Sequence, residues 1–544
     1  MMTSKNKWLY IIALVIAVLY LWHLGNYALI NPDEGRYAEV PREMIASGDF
    51  ITPRLNGVEF FDKPALQYWM TAIFMMVFGQ NEYSARLFPA LCALGGIACI
   101  YVLGTKMFDR KIGFKAALIL ATSLLYFILS SINILDMAVS FFITLALTMF
   151  YLFSISYEKK YLYIFYAAMA LGVLTKGLIG IVLPGVIIAL YAAVTRQGQL
   201  LKRSFSLLGF ALFFLITVPW FYLVCRANPD FFQFFFIEQH FLRYATKMYN
   251  RFQPWYFFIP CLIFGVFPWT GFLLASLIQK PKAVLKALKN GIANKQYIFL
   301  LLWAGVIFCF YSMSGSKLIP YILPCFAPLS IFIATRLDAS NLMKPALIIN
   351  AAVSFIFFAA FIIAAVRTDF LEVRELIKFG IPLMTLLAVP PVLSLYYFFK
   401  RKNNSAVLRI CFAAGILFCF ALQPITSEIA EHRTGKDTAQ IVNQWKNDNT
   451  VLIGYKDYLR DLPFYAGKRV LLYGYLNELE FGSRHASGQG WFIKEPQELR
   501  RIWQKNPDAI LIIPKKEKND AFATLDLSNA QIAETEKYII AKQP

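Results

Sequence analysis

The chain has 544 residues, of which 58% are hydrophobic and 16% are charged, whereas an average soluble protein carries about 25% charged residues. This composition excludes an ordinary soluble protein. The formal net charge of +20 could indicate nucleic acid as a partner, but the basic residues concentrate in alternate short loops between apolar runs. That asymmetry follows the positive-inside rule, and contact with anionic membrane lipids accounts for it. We therefore predict an α-helical polytopic membrane protein that binds no nucleic acid.

The apolar runs are roughly 17–25 residues long, which suffices to cross about 30 Å of hydrocarbon as a helix. Hydropathy predicts about thirteen transmembrane helices. The predicted spans are 8–24, 86–105, 115–132, 137–153, 161–175, 178–194, 204–224, 255–278, 297–313, 320–335, 345–366, 379–399 and 405–422. The first span lacks a small-residue cleavage site, so we expect it to be retained rather than removed as a signal peptide. A cytoplasmic N-terminus and an odd number of spans place the C-terminus on the opposite side.

Three regions on the non-cytoplasmic side are longer than a connection needs, namely 25–85, 225–254 and the tail from 423. The first contains an apolar piece, 66–79, which is too short to span and predicts an amphipathic or re-entrant helix. The second mixes aromatic and charged side chains, which fits a segment that lies on lipid headgroups.

The tail after the last span changes character. β-like runs at 451–455, 469–473 and 509–514 alternate with polar helical patterns such as "DTAQIVNQWKN" and "EPQELRRIWQKN". This alternation predicts a small soluble α/β domain at 423–544, which follows a membrane domain at 1–422. No glycine-rich phosphate loop follows any of these runs, so nucleotide binding is not predicted.

Cysteine and histidine usage gives little support for metal or redox chemistry. All eight cysteines lie within or beside apolar runs, as small core residues do, and they do not form a disulfide pattern. The four histidines show no paired spacing, so neither a catalytic metal nor another cofactor is expected. His240 is a weak metal candidate, for which an ordinary polar contact is the alternative interpretation.

The stretch "NPDEGRYAEVPREM" (31–44) places six charged residues directly after the first span. Helix chemistry explains part of it, because Asn31 can cap a helix, Pro32 suits its first position, and Asp33 and Glu34 favour its first turn. Capping does not exclude a second role for either carboxylate.

Further ionisable groups lie at turns on the same side, where buried charge is costly and therefore indicates function. These candidates are Arg54, Lys63, Asp136, Lys176, Arg243, Lys317 and Tyr321. Each also has a simpler explanation, since a lone lysine at a span end can extend to the headgroups and Asp136 can cap the fourth span. Together, cations with a carboxylate at one membrane face indicate a lipid-phosphate substrate, because cations stabilise a phosphate leaving group while a carboxylate orients or deprotonates the acceptor.

Several motifs resemble those of a known family. "PDEGRYAEVPREMIASGDFITPRLNG" followed by "FFDKPALQYW", "LTKGLIGIVLP" and "SKLIPYILPCFAPL" resemble the bacterial transferases that attach 4-amino-4-deoxy-L-arabinose to lipid A. These belong to the GT-C superfamily of polyprenyl-phosphate-dependent glycosyltransferases, alongside the protein O-mannosyltransferases. The resemblance covers the membrane portion. It implies an inner-membrane enzyme with a cytoplasmic N-terminus and a periplasmic active site and C-terminal domain.

The family resemblance also implies substrates and residue roles. The donor would be an undecaprenyl-phosphate-linked aminosugar and the acceptor a lipid A phosphate, with inversion at the anomeric carbon and resistance to polymyxin and cationic peptides as the outcome. No obligate protein partner and no cofactor are implied. By resemblance Asp33 is the essential carboxylate, and Asp136 pairs with a first-loop cation or with the amino group of the sugar. The expected substrate-binding residues are Glu34, Arg36, Arg54, Lys63, Asp136, Lys176, Lys317, Tyr321 and Arg243, with Glu34 also serving the first helical turn.

Two alternatives stay open at this point. One keeps the GT-C fold but uses another donor sugar or a protein hydroxyl as acceptor, which would require a true general base. The other is a lipid or solute transporter. Transporters commonly show paired halves with interrupted helices, and we find no such internal repeat in the sequence.

Overall fold

The computed structural model describes residues 4–242, 253–279, 294–367 and 380–543. These residues form two compact units, each assembled from three separate stretches of chain. The first unit contains residues 1–23, 89–221 and 236–425, and the second contains 24–88, 222–235 and 426–544.

Helices dominate the chain from its first span to the start of the tail. In chain order they are α1 (Ser4–Leu21), α2 (Asp33–Ser47), α3 (Leu66–Phe78), α4 (Glu82–Met107), α5 (Arg110–Ala121), α6 (Leu124–Ser130), α7 (Leu135–Ser156), α8 (Lys159–Lys176), α9 (Ile179–Val194), α10 (Gly198–Ser204), α11 (Leu207–Ala227), α12 (Phe258–Gly265), α13 (Thr270–Gln279), α14 (Lys295–Met313), α15 (Phe326–Ala334), α16 (Ser340–Arg367), α17 (Ile381–Phe399) and α18 (Asn404–Glu431). A π-helical segment covers Gln233–Leu242, and a 3₁₀ segment covers Ile319–Cys325.

The apolar runs form membrane-spanning helices, as predicted. Within the described ranges, seven helices are long and apolar enough to cross a membrane, or eight if α5 and α6, which meet at a 64° bend, count as one broken span. Shorter apolar helices account for other predicted spans, α9 among them. The number thirteen stays a prediction. The piece predicted at 66–79 is the helix α3, whose 13 residues are too few to span.

The first unit is held together by helix pairs. Neighbours in the chain pack against each other, α7 on α8 and α16 on α17, and helices distant in sequence do so as well, α13 on α16 and α5 on α15. One of its apolar clusters joins Phe267, Val353, Leu383, Leu387 and Phe418. These side chains come from segments separated by up to about 150 positions, so the cluster fixes the C-terminal helices of this unit to the segment around Phe267.

The second unit is built around a mixed sheet. Its helices after residue 431 are α19 (Lys436–Trp445), α20 (Leu462–Ala466), α21 (Glu480–Ser483), α22 (Pro496–Lys505) and α23 (Lys518–Thr524), with 3₁₀ turns at Asn477–Leu479, Ala486–Gly488 and Lys515–Glu517. Its strands are β1 (Arg54–Leu55), β2 (Val58–Glu59), β3 (Leu452–Tyr455), β4 (Val470–Tyr473), β5 (Phe492–Ile493), β6 (Ile510–Pro514), β7 (Gln531–Glu534) and β8 (Tyr538–Lys542).

The six-stranded sheet has the order β5-β4-β3-β6-β8-β7, in which β5, β4, β3 and β6 are parallel and β8 and β7 are antiparallel. The three β-like runs of the tail are the strands β3, β4 and β6, and the two polar helical patterns are α19 and α22. The α/β character of the tail is therefore confirmed.

Both faces of this sheet are covered, because alternate residues of each strand enter different clusters. Ile453, Leu471 and Leu511 face the side packed by α22. Their neighbours on the other face, such as Leu452 and Leu472, belong to a cluster with first-loop residues. The first-loop members are Val40, Met44, Leu55, Val58, Phe60 and Tyr68. The loop after the first span is thus one layer of the fold around the sheet.

The β1–β2 hairpin pins the first loop to the sheet through its turn. The turn residues Asn56 and Gly57 both have positive φ, 53° and 73°, as a two-residue hairpin turn requires. The Asn56 carboxamide donates to the Val470 carbonyl and accepts from the Val470 N–H, both at 2.8 Å. A side chain at position 57 would strike the guanidinium of Arg469, which would lie 2.6 Å from a Cβ atom. The hairpin tip is therefore closely packed against the start of β4.

Candidate active site

The helix α2 begins at Asp33, as the charged stretch predicts, but its cap differs from the prediction. Pro32 occupies the N-cap position with φ −90° and ψ −16°, and no side chain makes a capping hydrogen bond. The prediction that Asn31 caps the helix is wrong, because Asn31 lies one residue too early. Its backbone N–H instead donates to the Arg433 carbonyl at 2.9 Å. Asp33 is therefore in the first helical turn, where the positive end of the helix dipole favours its carboxylate.

Glu34 is fully buried and paired with Arg86 at the start of α4. The Arg86 guanidinium donates through its five N–H groups to both Glu34 oxygens, at 2.8 and 2.6 Å, and to the carbonyls of Leu24, Tyr27 and Ala28. Glu34 also accepts the N–H of Ile30 at 2.9 Å. A carboxylate held in this way is not accessible to a substrate. The prediction that Glu34 binds substrate finds no support here, and we assign it a structural role.

Asp33 is the exposed partner of a buried cation. Its side chain is 57% exposed and pairs with Arg36, whose side chain is only 12% exposed. The other face of Arg36 meets Glu478, 2.6 Å away, and Arg460 contacts the second Glu478 oxygen at 2.5 Å. Burial alone would lower the pKa of Arg36, but Glu478, Tyr37 and Asp33 together hold that pKa above its usual value. Arg36 is thus a fixed cation beside an accessible carboxylate.

The other two first-loop candidates, Arg54 and Lys63, have different hydrogen-bond partners from each other. Arg54 pairs with Asp49 at 2.6 Å. Burial acts to raise the pKa of Asp49, yet hydrogen bonds from Arg54 and from backbone N–H groups lower it overall. Lys63 follows β2 and donates to the carbonyl of Asp62 at 2.7 Å. The Asp62 carboxylate also helps to raise the pKa of Arg36, which places this segment near the first turn of α2.

The first unit has a charged cluster of its own. Asp136 in the first turn of α7 forms an ion pair with Lys176 at the end of α8, and each side chain is about one-tenth exposed, at 12% and 10%. The Lys176 ammonium lies 4.3 Å from the ring centre of Tyr321. Ile134 holds the N-cap position of α7, so Asp136 is a first-turn residue rather than the cap. Its cation partner is Lys176 rather than a first-loop residue.

Lys317 is buried among backbone carbonyls. Its ammonium donates to Ser314 at 2.7 Å and to Gln253 at 2.9 Å, and burial lowers its pKa. Arg243 and the side chain of His240 lie outside the described residues. Across the ranges that the structure describes, no three His, Cys, Asp or Glu side chains lie together as metal ligands do.

Sequence reasoning missed three charged residues of this site, namely Arg86, Arg460 and Glu478. Arg86 could have been found, since an arginine at the start of a predicted span calls for a partner. Glu478 could not, because it is 442 residues from Arg36 in the chain and no local pattern distinguishes it from the neighbouring Glu480.

Two family profiles match separate parts of the chain. Residues 62–223 match the family described as dolichyl-phosphate-mannose-protein mannosyltransferase, and residues 438–543 match the aminoarabinose transferase C-terminal domain. The first match covers the segment that contains Lys63, Asp136 and Lys176. The second covers most of the sheet of the second unit.

Curated relatives are named undecaprenyl phosphate-alpha-4-amino-4-deoxy-L-arabinose arabinosyl transferase. The protein of Yersinia enterocolitica is 32% identical over 64% of this chain and 62% of its own length, and that of Proteus mirabilis is 35% identical over 62% of this chain and 60% of its own length. The chain therefore aligns with less than two thirds of the length of these relatives.

Solved structures extend the match to the whole fold. ArnT from Cupriavidus metallidurans bound to undecaprenyl phosphate is 26% identical with a TM-score of 0.84, covering 99% of this chain and 98% of that chain. An oligosaccharyltransferase of Archaeoglobus fulgidus, 13% identical with a TM-score of 0.56 over 96% of this chain and 71% of that chain, shares the fold alone. The chain is thus similar in sequence to the aminoarabinose transferases over more than three fifths of its length and shares their membrane fold.

Proposed function

We propose that this protein is an inverting glycosyltransferase that moves 4-amino-4-deoxy-L-arabinose from undecaprenyl phosphate to a phosphate group of lipid A. The family relation supports the donor, since relatives carry it in their names and a related structure holds undecaprenyl phosphate. The observation that carries the proposal is the accessible Asp33 carboxylate beside the buried Arg36. The expected outcome in the cell is resistance to polymyxin and other cationic peptides.

The reaction is a single displacement. An oxygen of the lipid A phosphate attacks the anomeric carbon of the aminosugar while the bond from that carbon to the donor phosphate oxygen breaks, so undecaprenyl phosphate leaves with the electron pair. The acceptor phosphate is already ionised near neutral pH, so Asp33 orients the reactants rather than removing a proton. Arg36 holds the carboxylate in place and offers positive charge to a phosphate.

The remaining candidates have separate proposed roles. Lys63, Lys176 and Lys317 supply cations for the donor and acceptor phosphates, because a cation near the leaving phosphate stabilises charge that grows in the transition state. Tyr321 supports Lys176 through its ring. Arg54 and Arg243 remain predicted phosphate contacts, and Asp136 orients Lys176 or meets the amino group of the sugar.

The test is transfer by the purified full-length chain. The enzyme is incubated with undecaprenyl-phosphate aminoarabinose and lipid A, and the products are weighed by mass spectrometry. Asp33→Asn is expected to lose at least about a thousandfold in kcat, as loss of an essential charged group does. Asp49→Asn is the matched control, a partly exposed first-loop aspartate paired with Arg54, and it is expected to stay active. Full activity of a folded Asp33→Asn protein would contradict the proposal.

A protein hydroxyl is the second candidate acceptor, because residues 62–223 match the protein mannosyltransferase family. A hydroxyl must lose its proton during attack, so this reaction needs a general base. The two candidates differ in their products. A protein acceptor predicts glycosylated protein and unmodified lipid A when both acceptors are offered together.

We propose the inner membrane as the location, with a cytoplasmic N-terminus and with the sheet of the second unit in the periplasm. The basic loops and the family relation support this orientation. The partners are the lipid donor, lipid A and the surrounding lipids. A cysteine introduced at the exposed Phe522 should react with a membrane-impermeant thiol reagent in intact spheroplasts. Protection until the membrane is broken would reverse the orientation.

A further inference from the structure

A cluster of phenylalanines in the second unit joins three distant stretches of chain. Phe61 lies in the first loop, Phe231, Phe234 and Phe235 lie in residues 222–235, and Phe481 lies in α21. Phe61 meets Phe231 edge-on with ring centres 5.0 Å apart and meets Phe481 at 5.6 Å. Phe231 stacks on Phe235 at 5.2 Å, and Phe234 packs on Phe481 at 4.2 Å. We call these five residues the phenylalanine cluster.

Polar contacts fasten the same three stretches. The Asn228 carboxamide donates to the Thr52 hydroxyl at 3.0 Å, which ties residues 222–235 to the first loop. Asp230 lies 3.5 Å from the ring of His485, which follows Phe481 by four residues in the chain. The Asn228–Thr52 bond joins the same two stretches as the Phe231–Phe61 contact, and the Asp230–His485 contact joins the same two as Phe234–Phe481. The cluster therefore has a defined geometry that polar groups reinforce.

Phe61 is the member nearest to the proposed chemistry. Its side chain is 1% exposed, and two residues later the chain reaches Lys63. On the other side of Phe61, the N–H of Phe60 donates to the Pro53 carbonyl at 2.9 Å, so the chain is fixed up to the cluster. Pro64 follows Lys63 and restricts its backbone. The direction in which Lys63 leaves the first loop is thus set by where Phe61 is held.

We propose that Phe481 is a positioning residue for Lys63: through the phenylalanine cluster it holds the 61–63 segment where the Lys63 ammonium meets a lipid-linked phosphate. This rests on the proposed function, in which Lys63 binds a phosphate. Phe481 itself does not touch the substrate. Its contribution is to reduce the freedom of a flexible cation before binding, which raises affinity without adding a contact.

The experiment is a double-mutant cycle on binding of undecaprenyl phosphate to the full-length chain in lipid nanodiscs. Phe481→Leu keeps apolar volume but loses the ring contacts with Phe61, Phe234 and His485, each worth about 0.5–1.5 kcal/mol. We expect it to weaken binding about two- to tenfold, by the conversion of 1.4 kcal/mol per factor of ten. In a Lys63→Met background the same substitution is expected to change binding by less than about 1.5-fold, because the cation it positions is gone.

Two further variants keep the test decisive. Phe464→Leu removes another buried ring of the same unit, packed against Leu29 and Ala38, and it should lower thermal stability while leaving binding unchanged. Phe231→Leu repeats the test from residues 222–235, in case Phe481→Leu does not fold, and should give the same dependence on Lys63.

The outcomes separate the two proposals. If Lys63→Met binds undecaprenyl phosphate as the wild type does, the phosphate role of Lys63 is wrong and the positioning role falls with it. If Lys63→Met weakens binding but Phe481→Leu has an equal effect in both backgrounds, the phosphate role stands and the positioning role is overturned. Equal loss of binding in Phe464→Leu would also overturn it, since general destabilisation would then explain the effect.

Discussion

Each unit contains an aspartate paired with a cation, but the two pairs differ in what they leave open. In the second unit the Asp33 side chain is 57% exposed, and its partner Arg36 also forms an ion pair with Glu478. In the first unit both Asp136 and Lys176 are about nine-tenths buried, and a tyrosine ring covers the ammonium. The first arrangement leaves a carboxylate free to meet a ligand. In the second arrangement, the buried carboxylate and the ring balance the charge of Lys176, which lets a membrane protein hold a cation ready for a phosphate among apolar helices.

This difference shows that pairing alone does not identify the carboxylate that a ligand can reach. Breaking a buried pair leaves an uncompensated charge and strongly destabilises the fold, whereas an exposed pair contributes little to stability. A substitution at the buried Asp136 should therefore lower stability more than one at Asp33, whereas a substitution at Asp33 should lower activity more. The predictions below test that separation, beginning with the largest expected effect on stability.

Asp136→Asn should lower the free energy of unfolding by about 3–5 kcal/mol, because it leaves the Lys176 ammonium buried without its carboxylate. The measurement is thermal unfolding in detergent at fixed protein concentration. The control is Asp338→Asn in the same unit, whose carboxylate is exposed and paired with Lys115, and which should change stability by less than about 1 kcal/mol. Equal stability of the two variants would mean that the buried Asp136–Lys176 ion pair does not stabilise the fold.

Glu43→Gln tests a half-buried carboxyl of a third kind, one that faces a second carboxyl, Glu39, as well as Arg42. Burial and the neighbouring Glu39 raise the pKa of Glu43 from about 4.5 to about 8, while both its oxygens accept the N–H of Gly57. The folded state therefore holds a proton that the unfolded state releases, and stability falls as pH rises from the lower value to the upper one.

Glutamine keeps the Gly57 contact without the charge. Glu43→Gln should be more stable than the wild type by about 2–3 kcal/mol at pH 9, and nearly equal to it at pH 4. The measurement is the melting temperature across that range, with the exposed Glu495→Gln as control. A difference that does not grow with pH would show that Glu43 does not hold its proton.

Glu478→Gln should cost about 1.5–2 kcal/mol, since it weakens two charge-assisted hydrogen bonds in a partly buried network. Glu480→Gln is the matched control two residues away, because that carboxylate is exposed and pairs with the exposed Arg484. Chemical denaturation of the two variants, measured side by side, checks the prediction. If both lose the same amount, Glu478 does not anchor Arg36.

Asp33→Asn should change stability by less than about 0.5 kcal/mol, the smallest effect in the series, because an exposed pair is screened by water. Its transferase activity should nevertheless be the lowest of all these variants. Thermal unfolding and product mass spectrometry on the same preparation decide the point. A large loss of stability would show that the Asp33–Arg36 pair supports the fold, and loss of activity would then not identify Asp33 as a residue that meets the substrate.

The elements of the fold that follow local rules could be predicted from the sequence. The strands β3, β4 and β6 lie within one residue of the runs at 451–455, 469–473 and 509–514, because short β-branched runs between turn residues have few alternatives. The helix after the first span also begins where its acidic first turn indicates. Its cap was misassigned, since Pro32 already takes helical dihedral angles.

Long-range contacts could not be predicted in this way. Nothing near Val40 or Met44 in the sequence indicates that they pack under a sheet formed by residues after 450. The same holds for the partner of Arg36, and for the pairing of Asp136 with Lys176 rather than with a first-loop cation. For Glu34, the sequence predicted substrate binding and a place in the first helical turn, and the structure gives a buried ion pair with Arg86.

The layering of the first loop against the tail sheet has a consequence for biogenesis. During synthesis α2 emerges early, whereas the strands that bury its apolar side are made only after α18. Until Ile510 has been translated, the sheet that covers Val40, Met44 and Tyr68 is incomplete. The apolar side chains of the first loop therefore stay partly uncovered while every later span is inserted into the membrane. A stop codon upstream of β6 would therefore prevent the first loop, near the N-terminus, from packing correctly, in addition to removing the C-terminal strands.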